Sequence, residues 1–494
     1  MANRITGLAS GMDVDSMVKE MMKARRASYD NMIKKRTKLE WQQEDYRTLS
    51  SKIVDFRNNK LSSFNLSSAI SAKTSQVSGD ANTLTINSTS STASGALNVK
   101  VDEVATAGYN LYSFSAADKG KSLEDLGFSL SGAGASTVDV TINNKTIKIN
   151  KDATLSDLST AINASSSTLK ATALYDVTSG KFSITSTQTG ENQLSITDTV
   201  FSSRLSALES NAGSDAKVTI NGISYNQAGN RFDLNGFDFT VKAKSASAIP
   251  TTITAVQDTS KIIDTIKSFV TEYNSLIGSI NSELSEAVNR TYKPLTSDEK
   301  KEMTEDEIKQ WEEKARSGTL RNDSILSGML SNFRIAATPL IAGIVDSSGN
   351  KLSIGITTGS YSEKGKLVLD ESKLRAALET EPDKVISLFT AKGTDTSPNS
   401  STSGVFAKMS ATSMTAIKSL SSKAGTSLVS SDASAAFLES SLMSTQIRAM
   451  KDQESRMLSR LNAIENQYFK QFSAMEKAIS SFNTQSSALS SFSS

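Results

Sequence analysis

The chain has 494 residues, 37% apolar and 21% charged, and a length of that order divides into roughly three or four domains rather than one core. Its 54 basic and 52 acidic residues leave a net charge of +2, which removes the electrostatic case for nucleic acid as a general partner. There is no cysteine and no histidine, so a disulfide framework, a thiolate site, an imidazole-ligated zinc and a Ser-His-Asp triad are all excluded.

Residues 1–13 are small and polar and read as a flexible lead-in, without the apolar core of a secretory signal. Asp13 and Asp15 flank Val14 just ahead of a helix, which suits an N-cap and a favourable dipole interaction better than a cation site. Residues 14–64 read as one long helix. Tyr46, Leu49, Ile53 and Phe56 recur at offsets of three and four, and Leu39 and Met32 extend the row upstream. Such a helix spans roughly 70 Å at about 1.5 Å per residue. The basic cluster Lys23, Arg25, Arg26, Lys34, Lys35, Arg36 and Lys38 reads first as a solvated helix face and second as a surface for an acidic partner.

From about residue 74 the period falls to two. Leu84 and Ile86 alternate, then Leu97, Val99 and Val101, then Tyr109 and Leu111, as strands with one buried face do. Residues 138–150 read as a hairpin turning at Asn143 and Asn144. Thr154 with Asp157 makes a capping box that opens a short helix through Leu155, Leu158 and Ile162. Strands are expected around Ala171–Tyr175, Phe182–Ser186 and Leu194–Thr197, and they resume over 217–257, where Phe237, Phe239 and Val241 alternate. VTIN at 140–143 recurs at 218–221, a hint of related sheet modules. The 217–257 segment is expected to pair with the strands of 74–115, so that one domain is built from two separated pieces.

Asp258 or Thr259 caps a helix whose broad apolar face, from Ile262 to Leu284, suits a globular bundle. Thr304 with Glu307 starts another helix that Gly318 ends, and Asn322 or Asp323 caps a third that reaches Pro339. Short strands follow in KLSIGIT and GKLVLD, then a helix from Asp370 to Leu378 and one with Pro382 in its first turn. Residues 393–404 have the composition of a linker, and 405–420 read as a serine-rich helix. In the last helix, 445–482, Ile447, Leu461, Tyr468, Met475 and Phe482 share a seven-residue lattice. Met450, Met457 and Ile464 add the offset of three, with Phe472 and Ile479 one position over. So narrow a stripe needs a partner helix. That partner is expected in 14–64, at the other end of the chain, with two helices of an ordinary bundle as the alternative. The final stretch, NTQSSALSSFSS, reads as frayed.

The expected fold class is therefore α+β multidomain: long N- and C-terminal helices forming a coiled-coil stem, a helical bundle domain, and two inserted β-rich head domains. The legs are 1–44 with 440–494, and the helix-rich domain with a small sheet is 45–72 with 258–439. The β-rich head is 73–116 with 212–257, and the outer α+β insertion is 117–211. No Walker loop, dinucleotide fingerprint or calcium loop occurs, and GAGAS at 132–136 lacks the required spacing. The acidic pairs and triplets at 298–299 and 305–307 stand at helix starts, and Trp311 reads as a packing residue. No apolar run approaches the roughly 18 residues of a membrane span. Neither an enzyme nor a cofactor nor a metal site is expected. The candidate functional residues are a partner-binding stripe on the two legs: Leu39, Tyr46, Leu49, Ile53, Phe56, Ile447, Met450, Met457, Leu461, Ile464, Tyr468, Phe472, Met475, Ile479 and Phe482.

Long stretches carry a resemblance. TGLASGMDVDSMVKEMM at 6–22, EYNSLI at 272–277, the whole of 294–326, TGSYSEKGKLVLDESKLRAAL at 358–378 and MEKAISSFNTQSSAL at 475–489 resemble the bacterial flagellar filament cap family, the flagellar hook-associated protein 2 family. The likeness fades over about 117–211. It implies a structural protein at the distal filament tip, secreted through the flagellar channel without a cleavable signal peptide. There it would form a homo-oligomeric ring of four to six copies, with five favoured, that promotes folding and insertion of exported flagellin and prevents its loss to the medium. The resemblance also implies contact with flagellin, with the hook–filament junction proteins, and with an export chaperone and the export apparatus, and neither nucleic acid nor membrane insertion. The alternative reading is a tip adhesin that binds mucin or host glycans through the head domains.

Overall fold

The computed structural model describes residues 13–198, 200–201, 207–246 and 250–492. The lead-in expected at residues 1–13 lies outside these, apart from Asp13. The chain divides into two compact units, Ser71–Asp258 and the remainder, Met1–Ile70 with Thr259–Ser494.

Helix α1 (Val14–Asp55) begins where the acidic pair stands. The Asp13 carboxylate accepts from the Ser16 amide at 3.0 Å, which is the N-cap geometry rather than a cation site. The helix does not run evenly to residue 64. A π segment at Phe56–Leu61 follows, then the short helices α2 (Ser62–Phe64) and α3 (Ser67–Ile70). The wider turn resets the phase of the stripe, and Phe56 and Leu61 are both buried.

The unit Ser71–Asp258 opens with β1 (Lys73–Ser78), β2 (Leu84–Thr89), β3 (Ala96–Glu103) and β4 (Ala107–Ser113). It continues with β5 (Thr137–Ile142), β6 (Lys145–Asn150), α4 (Leu155–Ala164), α5 (Ser166–Leu169), β7 (Ala171–Asp176), β8 (Lys181–Thr189) and β9 (Glu209–Asn211). It closes with β10 (Ala216–Ile220), β11 (Ile223–Gln227), β12 (Arg231–Leu234), β13 (Phe237–Val241) and β14 (Thr251–Gln257). A five-stranded sheet in the order β1-β14-β3-β10-β11 and a three-stranded sheet β12-β13-β2 enclose a core that includes Leu97, Val99, Phe232, Phe237, Phe239 and Ile253. The two separated pieces therefore pair as the sequence leads one to expect. The turns Asn143-Asn144, Asn221-Gly222 and Asn235-Gly236 all hold left-handed backbone, the conformation a two-residue type I′ hairpin demands. VTIN ends at two of these turns, so its recurrence is a hairpin signal and not a duplicated module.

Strand β4 departs from the expected boundary at 116. It pairs with β8 and β9 in the sheet β7-β8-β4-β9, so Tyr109 and Leu111 belong to the outer module. The cause is aromatic. Tyr112 lies 4.7 Å from the Phe201 ring, centroid to centroid, and Phe114 stands edge-on to Phe182 at 6.3 Å, anchoring the strand in the outer core. Leu194–Thr197 is not a strand, and only Ile196 bridges to Ile142. The Thr154–Asp157 capping box is formed, with the Asp157 carboxylate accepting from the Thr154 amide at 2.9 Å.

The other unit resumes with α6 (Thr259–Ser285), α7 (Ser297–Lys301), α8 (Glu305–Arg316) and α9 (Ser324–Ala342). Next come β15 (Ile344–Val345), β16 (Lys351–Leu352), β17 (Ile356–Thr358), β18 (Leu367–Leu369), α10 (Glu371–Thr380), α11 (Pro382–Thr390), α12 (Val405–Ala424) and α13 (Leu442–Phe492). Their core gathers Ile53, Phe56, Phe269, Tyr273, Phe333, Phe389 and Ile417. Helix α9 passes Pro339 and ends at Gly343, whose φ is +76°. It is long and apolar enough to cross a membrane. Leu326, Met329, Leu330, Phe333 and Leu340 are instead buried in the core, which accounts for that composition. The 393–404 segment is held rather than loose: Ser400 and Ser403 are buried, and a Cβ on Gly404 would meet the Phe389 carbonyl oxygen. Helix α13 continues through 483–492, the stretch that reads as frayed in isolation.

Candidate functional site

The paired ends of α1 and α13 form the candidate site. Polar contacts set their register. Arg36 Nε donates to Glu454 Oε1 at 2.7 Å, Lys451 reaches Glu40 at 3.2 Å, and Gln43 Nε2 donates to Ser444 Oγ at 2.9 Å. Residue numbers fall on one helix as they rise on the other, so the pair is antiparallel. Burial alone would lower the Arg36 guanidinium, but hydrogen bonds to Glu454 and Glu40 outweigh it and hold its pKa above the ordinary value.

Toward the tip, Val14, Val18 and Met22 of α1 and Leu461 of α13 are buried in one cluster, with Tyr29, Ile464, Tyr468, Phe469 and Phe472 packed around it. Spacings of four on α1 and of three and four on α13 are those of a helix–helix seam. Extending the Arg36–Glu454 register by 22 residues sets Val14 opposite about residue 476. From there α13 runs about 24 Å further to Phe492 at about 1.5 Å per residue. Along this length Met475, Phe482 and Leu489, spaced by seven, are 38%, 69% and 72% exposed. On α1, Met17 and Met21 also face solvent.

At the root, the stripe enters the core of its unit. Tyr46, Leu49, Ile53 and Phe56 are buried there, and Leu39 packs on its margin. These residues are covered by their own chain, so the expectation that they present a docking surface does not fit their place. Tyr46 Oη donates to Asp323 Oδ2 at 2.7 Å, and Lys423 Nζ donates to the same oxygen at 2.8 Å. Asp323 Oδ1 caps α9 by accepting from the Ile325 and Leu326 amides. Burial pushes the Asp323 carboxyl up, but Lys423 and Tyr46 more than reverse this and hold it below the usual carboxylate range. Burial and Asp323 both push the Tyr46 phenol up.

On α13, Ile447 and Leu461 are buried, Met450, Met457, Ile464, Tyr468, Phe472 and Ile479 are half-buried, and Met475 and Phe482 are exposed. Among the described residues the stripe therefore splits into a seam and an overhang. Part of the basic cluster is answered within the chain: Arg26 pairs with Asp298 at 3.0 Å and Lys34 with Glu299 at 2.5 Å. Sequence reasoning missed Val14, Val18, Met22, Tyr29 and Phe469 on the seam. The spacing of four between Val14, Val18 and Met22 carries the signal, upstream of the row that begins at Met32. Leu489 on the overhang lies in a serine-rich stretch that its composition does not mark as a partner-binding stripe. Among the described residues no group of three or more acidic side chains is placed to hold a metal ion.

A family model described as the C-terminus of flagellar hook-associated protein 2 matches residues 213–484, more than half of the chain, and one described as its N-terminus matches 10–108. The chain belongs to the flagellar hook-associated protein 2 family. It is 28% identical to the family member of Halalkalibacterium halodurans over 429 residues, which cover 78% of this chain and 79% of that one. It is 25% identical to the member from Escherichia coli over 419 residues, 79% and 81% of the two chains. A crystal structure of three domains of the Escherichia coli flagellar cap protein aligns with a TM-score of 0.47 at 20% identity, over 82% of this chain and 99% of that one. The span between the two family matches, 109–212, holds β5 to β9 and all but the first two residues of β4, the strands of the outer module.

Proposed function

We propose that this chain caps the tip of the bacterial flagellar filament. Copies assemble as a small ring, five being the favoured number, after export through the flagellar channel. The ring holds exported flagellin while it folds and inserts, and keeps it from being lost to the medium. Family membership supports this reading, and the observation that carries it is the overhang of α13. Its Met475, Phe482 and Leu489 stripe is suited to lie against an amphipathic helix, as helix-in-groove recognition requires. The candidate docking residues accordingly narrow to Met475, Ile479 and Phe482 of the expected stripe, with Leu489 added, while the α1 root fixes the leg to its domain. Further partners in this reading are the hook–filament junction proteins, an export chaperone that covers the C-terminal helix before secretion, and the export apparatus.

The test is deletion of the gene in its source organism, followed by the distribution of flagellin. Bald cells with monomeric flagellin in the medium, reversed by supplying the chain, support a capping role. Filaments of normal length and number would overturn it.

A further inference from the structure

In the unit Ser71–Asp258, most open sheet edges are guarded. Strands β1, β7, β9 and β12 carry Lys73, Asp176, Glu209 and Arg231, and a charge on an edge strand discourages another chain from adding to it. The uncharged edge β2 is closed by β1 beside it, where the Ser75 and Thr89 hydroxyls meet at 2.6 Å. Strand β11 differs. It ends the five-stranded sheet, reads Ile-Ser-Tyr-Asn-Gln without charge or proline, and leaves Ile223 60% exposed. We propose that β11 is an interface on which a second copy of this chain lays its own β11, antiparallel, about a two-fold axis at Tyr225.

The register argues for this occupant. Strand β11 faces β10 with Ile223 opposite Ile220, Ser224 opposite Thr219 and Tyr225 opposite Val218. In an antiparallel ladder alternate residues bond to one neighbour, and the others turn their N–H and C=O to the opposite side. The two-residue turn at Asn221-Gly222 makes its flanking pair, Ile220 and Ile223, a bonded one. Ile223, Tyr225 and Gln227 therefore bond to β10, and Ser224 and Asn226 point outward. A two-fold axis at Tyr225 sets each Ser224 opposite an Asn226 of the other copy. Every outward backbone group then finds a partner, and the two Tyr225 residues, each packed on the margin of its own core, stand opposite one another on the axis. Nearby charges are neutralised within the chain: Lys217 pairs with Glu103 at 2.7 Å and Arg231 with Asp238 at 2.5 Å. Like copies thus approach without unbalanced repulsion. The contact is isologous and cannot close the ring proposed above, which needs head-to-tail contacts. It joins two rings or two free chains, and it stands whether or not the chain caps filaments.

The chain has no cysteine, so Tyr225→Cys gives a single thiol on the axis. Directly opposed residues of a non-bonded pair lie about 4.5 Å apart at Cα, within disulfide reach. Under mild oxidation the full chain carrying Tyr225→Cys is expected to dimerise covalently more than about tenfold faster than one carrying Leu174→Cys on the exposed face of β7, because pairing raises the local thiol concentration. Ser224→Lys adds edge charge, and Asn226→Pro removes an outward N–H that β10 does not use. Both are expected to halve the mass of the largest species in sedimentation, with an unchanged circular dichroism spectrum. Equal cross-linking rates for the two thiols, or wild-type mass for Ser224→Lys, would overturn the proposal.

Discussion

Between Leu39 and Phe56 the apolar stripe of the N-terminal helix and its π segment sinks into a core shared with α6, α9 and α12, whereas between Val14 and Tyr29 its apolar partners among the described residues lie on α13. The rhythm is continuous from one half to the other, but the company is not. A seven-residue stripe announces that a helix needs a neighbour. It does not say how many further elements will cover the same side chains. The root is therefore bundle core and the tip a two-helix seam, and the boundary between them falls near the Arg36–Glu454 ion pair.

The comparison can be broken by substitution. At the root, Ile53→Ala removes a fully buried side chain, and such truncations cost about 2–5 kcal/mol. Thermal unfolding of the purified chain should show a clear fall in the transition of the helical unit. Asp323→Asn takes the negative partner from Lys423 and weakens the Tyr46 bond and the α9 cap, for a loss of about 1–3 kcal/mol. The same group sharpens the comparison through pH. Its folded-state pKa is depressed, so its stabilisation is present above the unfolded value near 3.9 and is lost as pH falls through the folded value below it. Acid titration of the wild type should destabilise the helical unit below about pH 4, and Asp323→Asn should flatten that dependence. At the tip, Leu461→Ala is expected to cost less than Ile53→Ala, about 2 kcal/mol or under, because a two-helix seam can close over the gap. A loss equal to that of Ile53→Ala would erase the distinction between root and tip.

Much of this architecture was legible in the sequence because local chemistry wrote it. The two long helices, the Thr154 and Thr304 boxes, the Asn143-Asn144 hairpin and the pairing of 217–257 with 74–115 each follow from spacing or from turn residues. What was not legible depended on neighbours. Tyr109 and Leu111 alternate in the same way in either sheet, and only the contacts of Tyr112 and Phe114 with Phe201 and Phe182 assign their strand. The serines of 393–404 look like a linker until Ser400 and Ser403 are seen to be buried. For the site, the α13 stripe was visible, but its division into seam and overhang was not, since Leu461 and Phe482 are equivalent on the lattice, yet among the described residues Leu461 is buried and Phe482 is exposed. The root residues Tyr46 to Phe56 were misplaced for the same reason.

The most direct measurement is made on Phe482→Asp, supplied to cells that lack their own copy. The side chain is 69% exposed, so the purified variant should unfold at the wild-type temperature. It is nonetheless expected to leave flagellin monomers in the medium and cells without full filaments. Normal filaments, with the variant present at the wild-type level, would contradict the claim that the overhanging stripe of α13 is the surface that meets flagellin.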